Sequence, residues 1–208
     1  LLRGVITHIP LLDSKSRVVA VASNDRRTLN VGRFAVGAGN PSLLIAEIGN
    51  NHQGDVELAK HLVDLAAESG ADVVKFQLRD MDALYRQSGA NSGGEDLGAQ
   101  YTLNLLSKYS LPAEKLFEVF DHARERNLEI MCTPWDPPSV KALAAYGVPA
   151  LKVASADLTN HSLLREMFTT GLPLIVSTGM SSEAEIVESI NLLRSSASPF
   201  ALLHCQST

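Results

Sequence analysis

Residues 129–178 read EIMCTPWDPPSVKALAAYGVPALKVASADLTNHSLLREMFTTGLPLIVST, and their alternation decides the fold. Glu129–Thr133 is an apolar run of strand length. Ser139–Tyr146 is a helical stretch stopped by Gly147. Ala150–Ser155 is apolar again, Ser162–Thr169 is helical and ends before Gly171, and Pro173–Thr178 is apolar once more. Short apolar runs separated by helices imply parallel strands joined by helical crossovers.

The cycle continues outward in both directions. Leu43–Ile48 and Asp72–Gln77 are strand candidates. Between them lies a helix with Asp55 as N-cap, Leu58, Leu62, Leu65 and Ala66 as its apolar stripe, and Gly70 as its stop. Pro112 opens a helix with Leu116, Phe117, Phe120 and Ala123 on one face. Ser182-Glu183-Ala184-Glu185 is a capping box for a helix carrying Ile186, Val187, Ile190 and Leu193. Phe200–Cys205 is a final strand. Leu29–Val36 predicts a small hairpin turning at Val31-Gly32-Arg33 or Gly37–Gly39.

About six strands with five connecting helices fit two architectures, a doubly wound sheet or a TIM (β/α)8 barrel. No G-x-G-x-x-G follows any strand, which weakens the nucleotide-binding reading. The chain divides into an unassigned segment, residues 1–28, with Val18–Ala22 as a candidate strand, and a partial barrel with its N-terminal hairpin, residues 29–208.

A net charge of -5 argues against nucleic acid or an anionic membrane as partner, and no apolar run approaches the ~20 residues of a membrane span. Cys132 and Cys205 form no disulfide framework. Buried free thiols are favoured over a catalytic thiol, and a reducing, cytoplasmic setting is expected.

Nearly every apolar run ends in polar residues on its C-terminal side. The first ends at Glu47, followed by Asn50, Asn51 and His52; the second carries Lys75 and Gln77; the third ends in Thr133. The fourth carries Lys152 and leads into Ser155 and Asp157. The fifth ends in Ser177 and Thr178, the sixth in His204, Gln206 and Ser207. In a barrel these ends converge on the face that holds the active site. Strand parity puts Val73, Lys75 and Gln77 on one face and Val74 and Phe76 on the other. Each lysine interrupts an apolar run, which calls for a buried partner. One core carboxylate would serve, but two lysines with neighbouring hydroxyls better suit a bound phosphate or carboxylate. Glu47 is open to two roles, pairing with a lysine and proton transfer. Thr133, Ser155 and Ser177 each have a competing use as helix caps. His52 reads as a hydrogen-bonded loop residue rather than a metal ligand. Leu78–Ser110 is too long for an ordinary loop, and with the small residues Ser88–Gly94 it is expected to serve as a lid or substrate loop.

Six strings then resemble one family in order. They are Ile45-Ala46-Glu47-Ile48-Gly49-Asn50-Asn51-His52-Gln53-Gly54-Asp55, Val74-Lys75-Phe76-Gln77, Cys132-Thr133-Pro134, Leu151-Lys152-Val153-Ala154-Ser155-Ala156-Asp157, Ser177-Thr178-Gly179-Met180 and Leu203-His204-Cys205-Gln206-Ser207-Thr208. Together they resemble the sialic acid synthase family. The resemblance implies a barrel that condenses phosphoenolpyruvate with an N-acetylated amino-sugar aldehyde, giving a nine-carbon 2-keto sugar acid and phosphate. Lys75, Thr133, Lys152, Ser155, Ser177 and Ser207 resemble its phosphoenolpyruvate contacts, Glu47 its acidic group, and Gln77 and Asp157 its sugar contacts. Asp157, where many members carry Glu, and Gln206, where Thr is common, are departures.

The resemblance further implies a divalent metal, Mn or Mg, with ligands outside this chain, and a homodimer at full length. A fragment is expected, with two open sheet edges unless residues 1–28 fold back on one. The competing readings are a related phosphoenolpyruvate-dependent 3-deoxy sugar acid synthase, and a non-catalytic remnant that binds an anion or a partner chain.

Overall fold

The structure is a computed structural model that describes residues 8–12, 18–23, 28–37, 39–84 and 105–205. Two antiparallel hairpins come first. β1 (His8–Leu12) pairs with β2 (Val18–Ser23), and β3 (Leu29–Val31) with β4 (Phe34–Val36). Each pair is a sheet of its own. Val18–Ala22 therefore does form a strand, but it covers no edge of the main sheet.

The main sheet holds β5 (Ile45–Gly49), β6 (Val73–Leu78), β7 (Glu129–Pro134), β8 (Ala150–Val153), β9 (Leu174–Ser177) and β10 (Phe200–Leu203). These six strands lie side by side in chain order, and every pairing is parallel. A doubly wound sheet reverses its order at a switch point; unbroken sequential order is that of a (β/α) barrel wall. The choice left open by periodicity falls to the barrel.

The crossovers carry, among the described residues, the helices α1 (Val56–Glu68), α2 (Met81–Leu84), α3 (Ala113–Glu125), α4 (Pro137–Tyr146), α5 (His161–Thr169) and α6 (Glu183–Arg194). Their starts are chemically specified. Asp55 accepts from Leu58 N at 2.9 Å, Asp136 from Ser139 N at 2.6 Å and Asn160 from Leu163 N at 3.2 Å, while Ser182 and Glu185 complete the capping box.

Helix faces need correction. α1 buries Ala59, Val63 and Ala66, and Leu65 is exposed. On α6, Val187 is exposed and Ser189 and Leu193 are buried. α3 buries Leu116, Val119, Phe120 and Ala123, whereas Phe117 packs sideways on Tyr146 with ring centroids 4.5 Å apart. Leucines and valines dominate a sequence pattern because they are large, but small residues let a helix lie closest to the sheet.

The strands carry two cores. Val74, Phe76, Ile130, Cys132, Leu151, Val153, Leu174 and Val176 face the helices. The alternate residues Val73, Met131, Ala150 and Ile175 face the barrel interior, where Leu29 and Val31 of the β3–β4 hairpin join them. The hairpin thus plugs the N-terminal end. Its tip is fixed by Arg33 N donating to Glu129 Oε1 at 3.1 Å. Gly32 sits at φ +56, and a Cβ there would fall 2.2 Å from Glu129 Cδ, so the close approach requires glycine. Among the described residues no helix is long and apolar enough to cross a membrane.

Candidate active site

One step above the apolar interior, the same strand faces turn polar. Glu47 and Lys75 are direct register partners on β5 and β6. Lys75 Nζ lies 2.8 Å from Glu47 Oε1 and 2.6 Å from Oε2. The lysine side chain is buried while the Glu47 side chain is 56% exposed, so the pair closes one side of the site and leaves the glutamate open to solvent. Both readings of Glu47 therefore stay compatible, since the pairing leaves the side chain accessible.

Lys152 is buried on β8. Its ammonium donates to Val153 O at 2.7 Å and to Ser177 Oγ on β9. Burial lowers its pKa to about 8, and the nearby charge of Lys75 pushes the same way. Two ammonium groups held together in a poorly solvated place favour an anion between or beside them.

The hydroxyls complete this rim. Thr133 and Ser177 are buried at the C-terminal ends of β7 and β9. β8 ends at Val153, earlier than the sequence pattern suggests, and Ser155–Asp157 is a 3-10 turn. The turn aims Ser155 Oγ at Gly179, whose N–H donates to it at 3.2 Å. None of these three residues caps a helix; Asp136, Asn160 and Ser182 do. The capping alternative is set aside for all three hydroxyls. Cβ at position 179 would lie 2.8 Å from Cys205 O, so this strand-end loop too needs glycine.

The NeuB family pattern matches residues 62–208, well over half of the sequence. The chain belongs to the NeuB family. This NeuB chain is 36% identical over 182 residues to an uncharacterized protein, MJ1065, of Methanocaldococcus jannaschii, covering 86% of the chain and 50% of that protein. It is 33% identical to the N,N'-diacetyllegionaminic acid synthase of Campylobacter jejuni, covering 79% of the chain and 51% of the synthase. In structure it is similar to an N-acetylneuraminic acid (sialic acid) synthetase from Leptospira borgpetersenii in complex with citrate. There the TM-score is 0.77 and the identity 31%, with 88% of the chain and 60% of the other covered. The chain spans about half the length of the curated relatives it matches.

The strand-end cluster also holds residues that the sequence patterns do not single out. Arg79 and Trp135 both hydrogen-bond to Gln77 Oε1, at 2.8 and 3.2 Å. They lie two residues beyond Gln77 and Thr133, so strand parity extended past the strand ends would have found them. Cys205 was read with Cys132 as a buried strand thiol. Cys132 is buried on the helix side, and burial drives its pKa up. Cys205 instead lies just past β10, only partly buried, with Sγ 3.5 Å from Ser155 Oγ. Burial raises its pKa, but hydrogen bonds from Ser155, Ser177 and the backbone at Thr178 and Gly179 outweigh this and leave it lowered.

Asp157 is partnered locally, by Asn160. Oδ1 accepts from Asn160 Nδ2 at 3.1 Å, and Oδ2 is buried with no hydrogen-bond partner among the described residues. Burial raises its pKa, against the Asn160 hydrogen bond and the Arg79 charge. His52 is buried, its Nδ1 accepts from Gly54 N at 3.1 Å, and its ring lies 6.2 Å from that of Phe76. It is a loop-fixing residue, as expected. Ser207, Gln206 and Ser88–Gly94 lie outside the described residues.

Proposed function

We propose that this chain supplies the phosphoenolpyruvate site and part of the acceptor site of a synthase. That synthase joins phosphoenolpyruvate to an N-acetylated amino-sugar aldehyde of the N-acetylmannosamine type. The observation that carries the reading is the convergence of two buried ammonium groups with the hydroxyls of Ser155 and Ser177 at the strand ends. Phosphoenolpyruvate carries a carboxylate and a phosphate, which such donors match. Membership of the NeuB family, with the names its relatives carry, supplies the reaction class.

In the proposed reaction, C3 of phosphoenolpyruvate forms a bond to the aldehyde carbon, and the aldehyde oxygen takes up a proton to become a hydroxyl. Water adds at C2 and loses a proton. The C2–O bond to phosphate then breaks as the new C2 hydroxyl gives up its proton to the departing phosphate, leaving the 2-keto acid. Lys75 and Lys152 bind the two anionic ends and balance the phosphate as it departs. Thr133, Ser155, Ser177 and Ser207 orient it. Glu47, which accepts a hydrogen bond from Lys75, is placed to pass a proton to or from water. Gln77 and Asp157 hold the sugar.

A divalent metal, Mn or Mg, belongs to the proposal. Its ligands are assigned outside this chain, as the family resemblance implies. A cytoplasmic homodimer is also part of it.

The test is a phosphate-release assay with mass analysis of the product. The protein carrying this chain is given phosphoenolpyruvate with N-acetylmannosamine, with its diacetamido deoxy counterpart, or with a phosphorylated sugar lacking the N-acetyl group. A nine-carbon keto acid from either amide-bearing acceptor is expected. Turnover with the last acceptor alone would point to the 3-deoxy sugar acid reaction. Phosphoenolpyruvate binding without turnover on any acceptor would point to the anion-binding remnant.

A further inference from the structure

At the upper rim of β6 and β7, three side chains outside the phosphoenolpyruvate site close on one another. The ladder between these strands runs past their ends, since Trp135 N still donates to Leu78 O at 3.1 Å. Residues 77 and 79 therefore stay in phase with residues 133 and 135. Arg79 Nη2 donates to Gln77 Oε1 at 2.8 Å, and Trp135 Nε1 donates to the same oxygen at 3.2 Å. The guanidinium also stacks over the indole, 4.3 Å from its centroid.

The two ends of an amide are alike in shape and opposite in chemistry: the oxygen accepts and the nitrogen donates. Arginine and tryptophan side chains offer donors and no acceptor. Only the oxygen of Gln77 can face them, so the orientation of this amide is dictated by its partners. Its Nε2 must then point away from both. A Cβ placed on Gly49 would lie 3.4 Å from Gln77 Nε2 and 3.2 Å from Glu47 Oε1, which puts the two N–H groups on the side of the Glu47–Lys75 pair.

We propose that Arg79 and Trp135 are positioning residues that lock Gln77 as an obligate hydrogen-bond donor toward a carbonyl-type oxygen of the acceptor sugar. The identity of that ligand rests on the proposed condensation; the polarity of the amide rests on the geometry alone. A free glutamine could flip and accept from a hydroxyl. A clamped one discriminates against acceptors that offer only a hydrogen there.

The experiment compares Gln77→Glu, Gln77→Met and Trp135→Phe in the protein carrying this chain. Gln77→Glu still accepts from Arg79 and Trp135 but has no N–H to offer. It is expected to raise the KM of the acceptor at least tenfold while moving that of phosphoenolpyruvate less than threefold. Gln77→Met should do the same. Trp135→Phe keeps the ring under Arg79, removes one donor, and should raise the acceptor KM severalfold.

A readout independent of turnover is the indole N–H resonance of Trp135, the sole tryptophan of this chain, assigned by its loss in Trp135→Phe. It should shift and exchange faster with solvent in Gln77→Met and stay protected in Gln77→Glu. Active wild type with unchanged acceptor KM in Gln77→Glu would make Gln77 a mere anchor for Arg79 and overturn the clamp alone. An indole resonance indifferent to Gln77→Met would do so too. Wild type without condensing activity would sink the proposed function and the acceptor assignment with it.

Discussion

Two rings of side chains line the inside of the barrel wall, one just above the other on the same strands. The lower ring, Val73, Met131, Ala150 and Ile175, is fully apolar and sealed by Leu29 and Val31. The upper ring holds Glu47, Lys75, Thr133, Lys152 and Ser177, of which all but Glu47 are buried. Both rings arise from the same parity, two residues apart. The lower ring gains by leaving water. The upper ring loses by it: Lys152 is held with a pKa near 8 and Lys75 is buried against a single carboxylate. The wall thus places cost and gain on the same strands, and the costly ring is where the anion is expected.

The largest effect should come from the lower ring. Met131→Ala removes a fully buried side chain and should cost about 2–5 kcal/mol of stability, read by denaturant unfolding. The KM values of whatever protein survives should not move. A change in substrate KM with little loss of stability would mean that the rings are not separate.

Lys152→Met should show the opposite pattern. The kcat/KM for phosphoenolpyruvate should fall about tenfold to a hundredfold, as expected for loss of a charged hydrogen bond. Stability at pH 7 should rise by about 1–3 kcal/mol, because a buried ammonium is replaced by an apolar group of similar length. Destabilisation in the same measurement would show that Lys152 is a structural residue.

Titration should sharpen the contrast. The folded pKa of Lys152 is lowered, so its stability contribution is present above the unfolded lysine value and lost as pH falls through about 8. Anion binding runs the other way, since only the ammonium attracts the ligand. The affinity for phosphoenolpyruvate should weaken as pH rises through about 8, by up to about tenfold per unit. Calorimetric titrations from pH 7 to 9.5 would check this, and Lys152→Arg should flatten the profile. The smallest effect on stability, read by denaturant unfolding, should be that of Glu47→Gln. Its side chain is half-exposed to solvent, so the loss should lie near about 1–2 kcal/mol, between an open surface pair and a sealed one. A loss above about 4 kcal/mol would place the pair in the core.

Much of this was legible in the sequence because β-strand parity is local. Val73-Val74-Lys75-Phe76-Gln77 sorts its own residues to two faces, and Gly147, Gly171 and the Ser182 capping box punctuate the helices without help from the rest of the chain. Arg79 and Trp135 escaped because they lie past the strand ends, where a one-dimensional pattern stops but the β6–β7 ladder does not. On α1 and α6, Leu62, Ala66, Ile186 and Leu193 pack on the core as their spacing predicts, whereas Leu65 and Val187 face solvent and Val63 and Ser189 lie buried, because position around the helix axis rather than hydrophobicity decides which side meets the sheet.

The sequence alone determined the alternation of strands and helices, the interior parity of Lys75, and the placement of polar residues at strand ends; each follows from backbone geometry within a few residues. Only the tertiary structure decided the rest. Sequential parallel pairing turned six strands into a barrel wall rather than a doubly wound sheet. Register set Glu47 directly opposite Lys75, although 28 residues separate them in the chain. Placing Ser177 beside Lys152 and Cys205 beside Ser155 required strands and loops from distant units to meet. Such contacts depend on how the wall closes, which no local pattern encodes, because the energy that selects them is shared among all the packed strands and helices at once.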